Sequence, residues 1–387
     1  MNSFIKIIKV ILYTLPFFLS TEIILGKWLI QKPKVSMLPS SLYSEKIKFK
    51  FSKEWGKYKT KEFITYTRDE LGYRGWESKL YKDSNIYKLI LVIGDSTTDQ
   101  RFEDDTATWT EIMENYLDDK GLNYIDVVNG GVDGHTTYGY LQSIENWHAN
   151  DLNFIKTNIS TIIFNIGINE VKYFIKNNSG EFKDINKSHS SKLEILKNHI
   201  INNSFFYSYL KSLVKGEQII YDDGSEVNII DKSRLRNWDF KEYYEKIPYS
   251  VSLDPTQVEN YKMHFQKLIL RTKDLFPYSK IIISQPYIPA CNFSSKSYIV
   301  QRMPNSEKKK YSESFCKLIK EVFNNQEVII NNLKNNYPKK IYLYKMYENV
   351  VINDEGFYDF IHPVGIGNEI IGNTFGDYLF KLMKNIN

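Results

Sequence analysis

Apolar residues occur in two rhythms along this chain. "YKLILVIG" (87–94), "YIDVV" (124–128), "STIIFNIG" (160–167), "KIIISQP" (280–286) and "KKIYLYKM" (339–346) are short, nearly continuous apolar runs. Such runs predict strands covered on both faces, which leave no exposed side for polar residues to alternate onto. Between them the apolar positions recur at helical spacing. "TWTEIMENYLDDKG" (108–121) opens on a capping box made by Thr108 and Glu111 and closes on Gly121. Further helices are predicted near 137–148, from Asp254 with Pro255 at the first helical position, over 308–335, and along "GNEIIGNTFGDYLFKLMKN" at 367–385. The alternation predicts an α/β three-layer sandwich, with a central five-stranded, mainly parallel sheet between helices joined by right-handed crossovers.

Three stretches fall outside that rhythm. Lys6 and Lys9 precede "VILYTLPFFLSTEIILG", an apolar segment broken by Pro16 and Glu22, which has the layout of a basic region followed by an export core. A spanning helix needs about 20 apolar residues, and no small-x-small cleavage site follows. The expectation for 1–30 is therefore a membrane anchor or signal, uncleaved, with the remaining chain extracytoplasmic at the periplasm or cell surface. The alternative is a buried amphipathic helix. Residues 31–87 read as a proline-bearing linker and an N-terminal extension containing "DELGYRGWESK". The main domain spans 88–387, with an insertion at about 171–253 rich in Lys, Asn, Ser and aromatic residues.

Composition narrows the class. The hydrophobic fraction is 42% and the aromatic fraction 15% over 387 residues, ample for a packed interior. A formal charge of +5 without a basic stripe points away from nucleic acid. Two cysteines, Cys291 and Cys316, build neither a disulfide framework nor a thiol zinc site, and the six histidines lack metal-ligand spacing. No metal and no cofactor is expected. Whether the two cysteines pair or stay free is open at this stage.

The chemistry gathers where strands end, the rim at which open α/β sheets bind ligands. Gly94-Asp95-Ser96 follows the first strand, "NGGVDGHTT" (129–137) the second, "GINE" (167–170) the third and "YDFIHP" (358–363) the last. A serine hydroxyl is a weak nucleophile until a base takes its proton, so Ser96 needs His362 within reach. The imidazole in turn needs a carboxylate to hold its tautomer and balance its charge, which Asp359 supplies. An oxyanion needs donors, and the backbone N–H groups of Ser96 and Gly134 with the side-chain amide of Asn169 provide them.

These four segments, in this order, resemble the SGNH (GDSL) hydrolases, a family of lipases, esterases and acyltransferases. The resemblance covers residues 88–170 and 254–385. It implies a flavodoxin-like form of the sandwich, Ser96 as nucleophile, Asp359 and His362 as its partners, and Ser96, Gly134 and Asn169 as the oxyanion hole. One departure stands out: Glu170 occupies the position where the family usually carries aspartate, a position the resemblance implies to be mainly structural.

Each residue also has a plainer reading. Ser96 could be a helix N-cap, Gly134 a turn glycine, Asn169 a cap, and Asp359 with His362 a surface turn. His135 adjoins Gly134 and is expected to face the cleft without a catalytic part. The aromatic group Phe205, Phe206, Tyr207, Tyr209, Trp238, Tyr243 and Tyr244 reads as insertion core before sugar platform. The expected function is a serine esterase acting at the cell surface on acyl esters, such as O-acetyl or other short-chain esters of a glycan. The alternatives are an O-acyltransferase using the same residues and a non-catalytic glycan-binding or assembly protein.

Overall fold

The structure is a computed structural model, and its described residues are 13–22, 46–50, 63–69, 71–75, 88–149, 159–171, 204, 206, 218–221, 228–231, 254–291, 305–352, 356–357 and 361–384. Among the described residues nine strands run in chain order as β1 (Lys46–Lys50), β2 (Phe63–Thr67), β3 (Lys88–Gly94), β4 (Ile125–Asn129), β5 (Ile159–Asn165), β6 (Gln218–Tyr221), β7 (Asn228–Asp231), β8 (Lys280–Gln285) and β9 (Ile341–Lys345). The helices are α1 (residues 13–22), α2 (Ser96–Asp99), α3 (Trp109–Asp119), α4 (Thr137–Ser143, continued by a π turn Ile144–His148), α5 (Pro255–Leu275), α6 (Asn305–Asn336), α7 (Met346–Asn349) and α8 (Ile366–Lys384).

The main sheet has five strands in the order β4-β3-β5-β8-β9, every neighbouring pair parallel. The strand order reverses beside β3, which makes the carboxyl edge between β3 and β5 the switch point at which open α/β sheets bind ligands. Both faces of the sheet are covered, which explains the unbroken apolar runs. Along β3, Leu89, Leu91 and Ile93 pack with Tyr140 of α4, Phe265 of α5 and Ile319 of α6, whereas Ile90 and Val92 pack with Trp109 and Met113 of α3 and Phe375 of α8. Each such buried aliphatic side chain contributes about 1.5 to 3 kcal/mol relative to exposure.

Local signals place the helices. Thr108 caps α3 by accepting from the N–H of Glu111. The helix ends in a Schellman turn: Leu122 N–H donates to the Leu117 carbonyl (2.9 Å) and Gly121 N–H to that of Asp118 (2.8 Å), with Gly121 at φ +80°. Asp254 caps α5 through the N–H groups of Thr256 and Gln257.

A second sheet has four strands in the order β2-β1-β7-β6. Its centre is a parallel pairing of β1 from the N-terminal extension with β7 from the 171–253 segment, Ile47 opposite Asn228 and Lys50 opposite Asp231. The extension and the insertion therefore build one sheet together.

Cys291 and Cys316 are joined by a disulfide, which ties the turn Pro289–Cys291 beyond β8 to α6. The ten residues of α1 expose Tyr13, Leu15, Phe17, Phe18 and Leu19. No helix among the described residues is long and apolar enough to cross a membrane; residues 1–12 and 23–30 of the expected anchor lie outside the described set. Of the aromatic group in the insertion only Phe206 is described, its ring 5.1 Å from that of Phe18.

Candidate functional site

Three loops at the carboxyl edge are locked to one another by backbone contacts and hydrogen bonds. β3 ends on Gly94, where a Cβ would run into the side chain of Thr98 and lie 2.9 Å from the carbonyl oxygen of Asn165 at the end of β5. Only glycine lets α2 fold back this tightly. Asp95 is the N-cap of α2, its carboxylate accepting from the N–H (2.9 Å) and hydroxyl (2.8 Å) of Thr97. Ser96 is thus not the cap but the first residue of the helix, half-buried, with an N–H that has no intrahelical acceptor.

The loop leaving β4 continues alongside β3. Gly130 N–H donates to the Val92 carbonyl (2.7 Å) and Val132 N–H to that of Gly94 (3.0 Å). Asn129 donates to the Thr98 carbonyl (2.8 Å) and accepts from Gly131 N–H (2.9 Å). A Cβ on Gly131 would strike the backbone of Thr98 and Asp99. Gly134 is exposed and sits in the left-handed region at φ +75°. The next residue, His135, is half-buried, and burial pushes its imidazole down to about 4, so it is neutral at physiological pH. Its carbonyl, rather than its ring, does the binding: it accepts from Asn169 Nδ2 (2.8 Å) and from the Tyr140 hydroxyl (3.1 Å). Glu170, fully buried, accepts from the N–H (2.8 Å) and hydroxyl (2.7 Å) of Thr137.

His362 arrives from the far end of the chain. Its turn is closed by Val364 N–H donating to the Gly356 carbonyl (2.8 Å), with a β-bridge between Phe357 and Pro363. The Ser96 hydroxyl lies 2.8 Å from His362 Nε2, across 266 residues of sequence. Of the other expected site residues, Gly134 and Asn169 share one loop cluster through His135, while Asp359 lies outside the described residues. Burial holds the carboxyl of Asp95, adjacent to the serine, above the usual carboxylate range, against the lowering pull of its hydrogen bonds from Thr97 and of the nearby His362.

Two sets of residues were invisible to sequence reasoning. Gln100, left-handed at φ 47°, ends α2 and spreads one amide over three elements. Its Nε2 donates to Asn368 Oδ1 of α8 (2.5 Å) and to the Pro363 carbonyl beside His362 (3.3 Å), and its Oε1 accepts from Trp109 N–H (2.8 Å). The second set comes from the N-terminal extension. Arg68, wholly buried, donates from Nη2 to Asp99 Oδ1 and to the Gly131 carbonyl (both 2.7 Å), from Nη1 to the Gly72 carbonyl (2.6 Å) and from Nε to the Tyr66 hydroxyl (2.7 Å). Arg74 donates to the Glu103 carbonyl (2.7 Å) and pairs with Asp105. Arg68 thus holds the Asp99 side chain and the Gly131 carbonyl, and Arg74 the carbonyls of Asp99 (3.2 Å) and Glu103, in the segment that follows Ser96 and the loop beside it. The available signal was the polar character of "DSTTDQ" directly after a buried strand, which left Asp99 and Gln100 needing partners.

A five-stranded parallel sheet whose carboxyl-edge loops bring a serine hydroxyl onto an imidazole has the architecture of a hydrolase of the α/β sandwich type. The model of the GDSL-like lipase/acylhydrolase family matches residues 90–375, and the chain belongs to that family as an SGNH-type hydrolase. No protein among curated sequences matches the chain. Among solved structures it is similar to a Clostridium thermocellum family 3 carbohydrate esterase, at 14% identity and a TM-score of 0.36 over 77% of this chain and 98% of that one. It is also similar to Axe2, an acetylxylan esterase from Geobacillus stearothermophilus, at 17% identity and a TM-score of 0.32 over 76% of this chain and 94% of that one.

Proposed function

We propose that the protein is a serine esterase that removes short acyl groups, O-acetyl above all, from a glycan outside the cytoplasm, with Ser96, His362 and Asp359 as its triad. The observation that carries this reading is the 2.8 Å approach of the Ser96 hydroxyl to His362 Nε2, a distance at which a neutral imidazole accepts the hydroxyl proton. As Ser96 Oγ bonds to the ester carbonyl carbon, its proton passes to Nε2 and the carbonyl electrons move onto oxygen. The oxyanion is received by the Ser96 N–H, free at the first position of α2, and by the Gly134 N–H. Asn169 adds its amide, whose two protons allow one bond to the His135 carbonyl and a second to the substrate. Collapse expels the alcohol, which takes the proton from Nε2. Water, deprotonated by the same nitrogen, then releases the acyl group as its acid and restores Ser96. Asp359 is assigned to orient the imidazole.

The extracytoplasmic location is supported by the Cys291–Cys316 disulfide, a bond typical of oxidising compartments, and by the basic and apolar order of the first 26 residues. This location favours a surface glycan over a free lipid. The test is labelling with a fluorophosphonate, wild type against Ser96→Ala, followed by acetate release from an O-acetylated polysaccharide compared with long-chain ester hydrolysis. Labelling that survives Ser96→Ala overturns the nucleophile. Preference for long chains overturns the substrate class.

A further inference from the structure

Residues 169 and 170, side by side just beyond β5, hold the loop between β4 and α4 at two points. Asn169 takes the carbonyl of His135, and Glu170 takes the N–H and hydroxyl of Thr137. Between these anchors the chain turns into α4, and one residue before them lies Gly134. Thr136, the N-cap of α4, makes no side-chain capping bond. The helix start is secured from 33 residues away by a carboxylate whose second oxygen, Oε2, is buried with no hydrogen-bond partner among the described residues.

We propose that Glu170 is a positioning residue for the oxyanion donors: as a carboxylate it fixes the loop carrying Gly134 against Asn169, and on taking a proton it loosens that loop and slows turnover. The inference rests on the esterase reading of Ser96. Among the described residues, three titratable groups face Glu170 from the elements packed against it: Asp95 at the end of β3, Tyr140 on α4 and Tyr261 on α5. None of them is a cation, so a proton is the means by which this carboxylate is neutralised. Burial first, and the charge of Asp95 second among the raising influences, push it up to about 7. A neutral carboxyl still offers Oε1 to Thr137, but bonds to a charged acceptor are about twice as strong as neutral ones. The usual aspartate of this family position is one methylene shorter. Glutamate reaches the Thr137 N–H and hydroxyl here with its carboxylate fully buried.

The linkage sign follows. A carboxyl with a raised folded-state pKa binds a proton that the unfolded chain does not hold between about pH 4.3 and about pH 7, so its contribution to stability falls as pH rises through that window. Ionised Glu170 therefore aids positioning while weighing against the fold.

The experiment uses the full chain and measures kcat and KM on a soluble acetyl ester, together with Tm, from about pH 5 to about pH 9. Glu170→Gln is expected to lower kcat about tenfold above neutrality with KM within about twofold, the size of a modest misplacement of catalytic groups. It is also expected to raise Tm above about pH 7 relative to wild type and to lose the wild-type dependence of Tm on pH in the acid-to-neutral range. Glu170→Asp, which keeps the charge, is expected to retain that dependence and recover part of kcat. A Gln variant with wild-type kcat at every pH, or with an unchanged Tm profile, overturns the inference. If wild type itself resists fluorophosphonate, the reading of Ser96 falls and this inference with it. A labelled wild type with an unaltered Gln variant refutes the positioning role alone.

Discussion

The two sheets differ in how their strands find one another. In the five-stranded sheet the strands are linked through intervening helices, β3 through α3 to β4 and β5 onward to β8 and β9, and each crossover covers the strands it joins. In the four-stranded sheet β1 meets β7 across an interval that contains three strands of the other sheet. Most of the first is assembled by local order, with one long interval between β5 and β8 that carries β6 and β7; the centre of the second is made by the closing of a long loop. Yet the segment 63–75, which begins with a strand of the second sheet, supplies the arginines that bind Asp99, Gly131 and Glu103 in the loops around Ser96 of the first. A site can therefore depend on a part of the chain that its own fold would not predict.

That comparison can be broken at several points. Removing chemistry from the main sheet is expected to have the largest effect: Ser96→Ala should lower kcat by about 10⁴-fold or more while Tm stays near wild type, measured by ester hydrolysis and thermal melting. Asn169→Ala should lower kcat by about 10² to 10³ with little change in KM. A larger change in KM would mean that the amide serves ground-state binding instead. On the other side, Arg68→Ala leaves Asp99 buried without its guanidinium and strips the Gly131 carbonyl of a donor. The expected cost is about 3 to 5 kcal/mol in denaturant unfolding. Were Arg68→Ala to cost less than about 1 kcal/mol, the extension would be an accessory and the contrast between the regions would lose its point. The smallest effect belongs to a cap remote from both: Asp254→Ala should cost about 1 kcal/mol and leave kcat unchanged.

Much of the main sheet was legible because its signals are local. A strand buried on both faces must be apolar at consecutive positions, as Leu89 to Ile93 are; Thr108, Gly121 and Asp254 announce helix ends through bonds to residues two or three positions away, and Pro255 does so through its fixed φ. The meeting of Ser96 with His362 was legible for a different reason: parallel strands deliver their carboxyl-end loops to one rim whatever the sequence between them. The Arg68 cluster and the Gln100 amide were not legible. Nothing near Arg68 in the chain states that its partner is Asp99, 31 residues on, and Gln100 finds Asn368 across 268 residues. The pairing of Cys291 with Cys316 was equally undetermined, since two thiols in a sequence carry no statement of distance. The spanning helix expected from the first 30 residues has only its stretch 13–22 described, half the length that a crossing needs.

The burial of Arg68 bears on how small this enzyme can be made. Trimming the chain to the portion that matches its family, from residue 90 onward, would delete the guanidinium and leave a charged hollow behind the serine, facing Asp99 and an orphaned carbonyl. A unit that keeps this support must include Arg68, and a shortened version beginning at the first strand of the main sheet should come out of expression misfolded or inert.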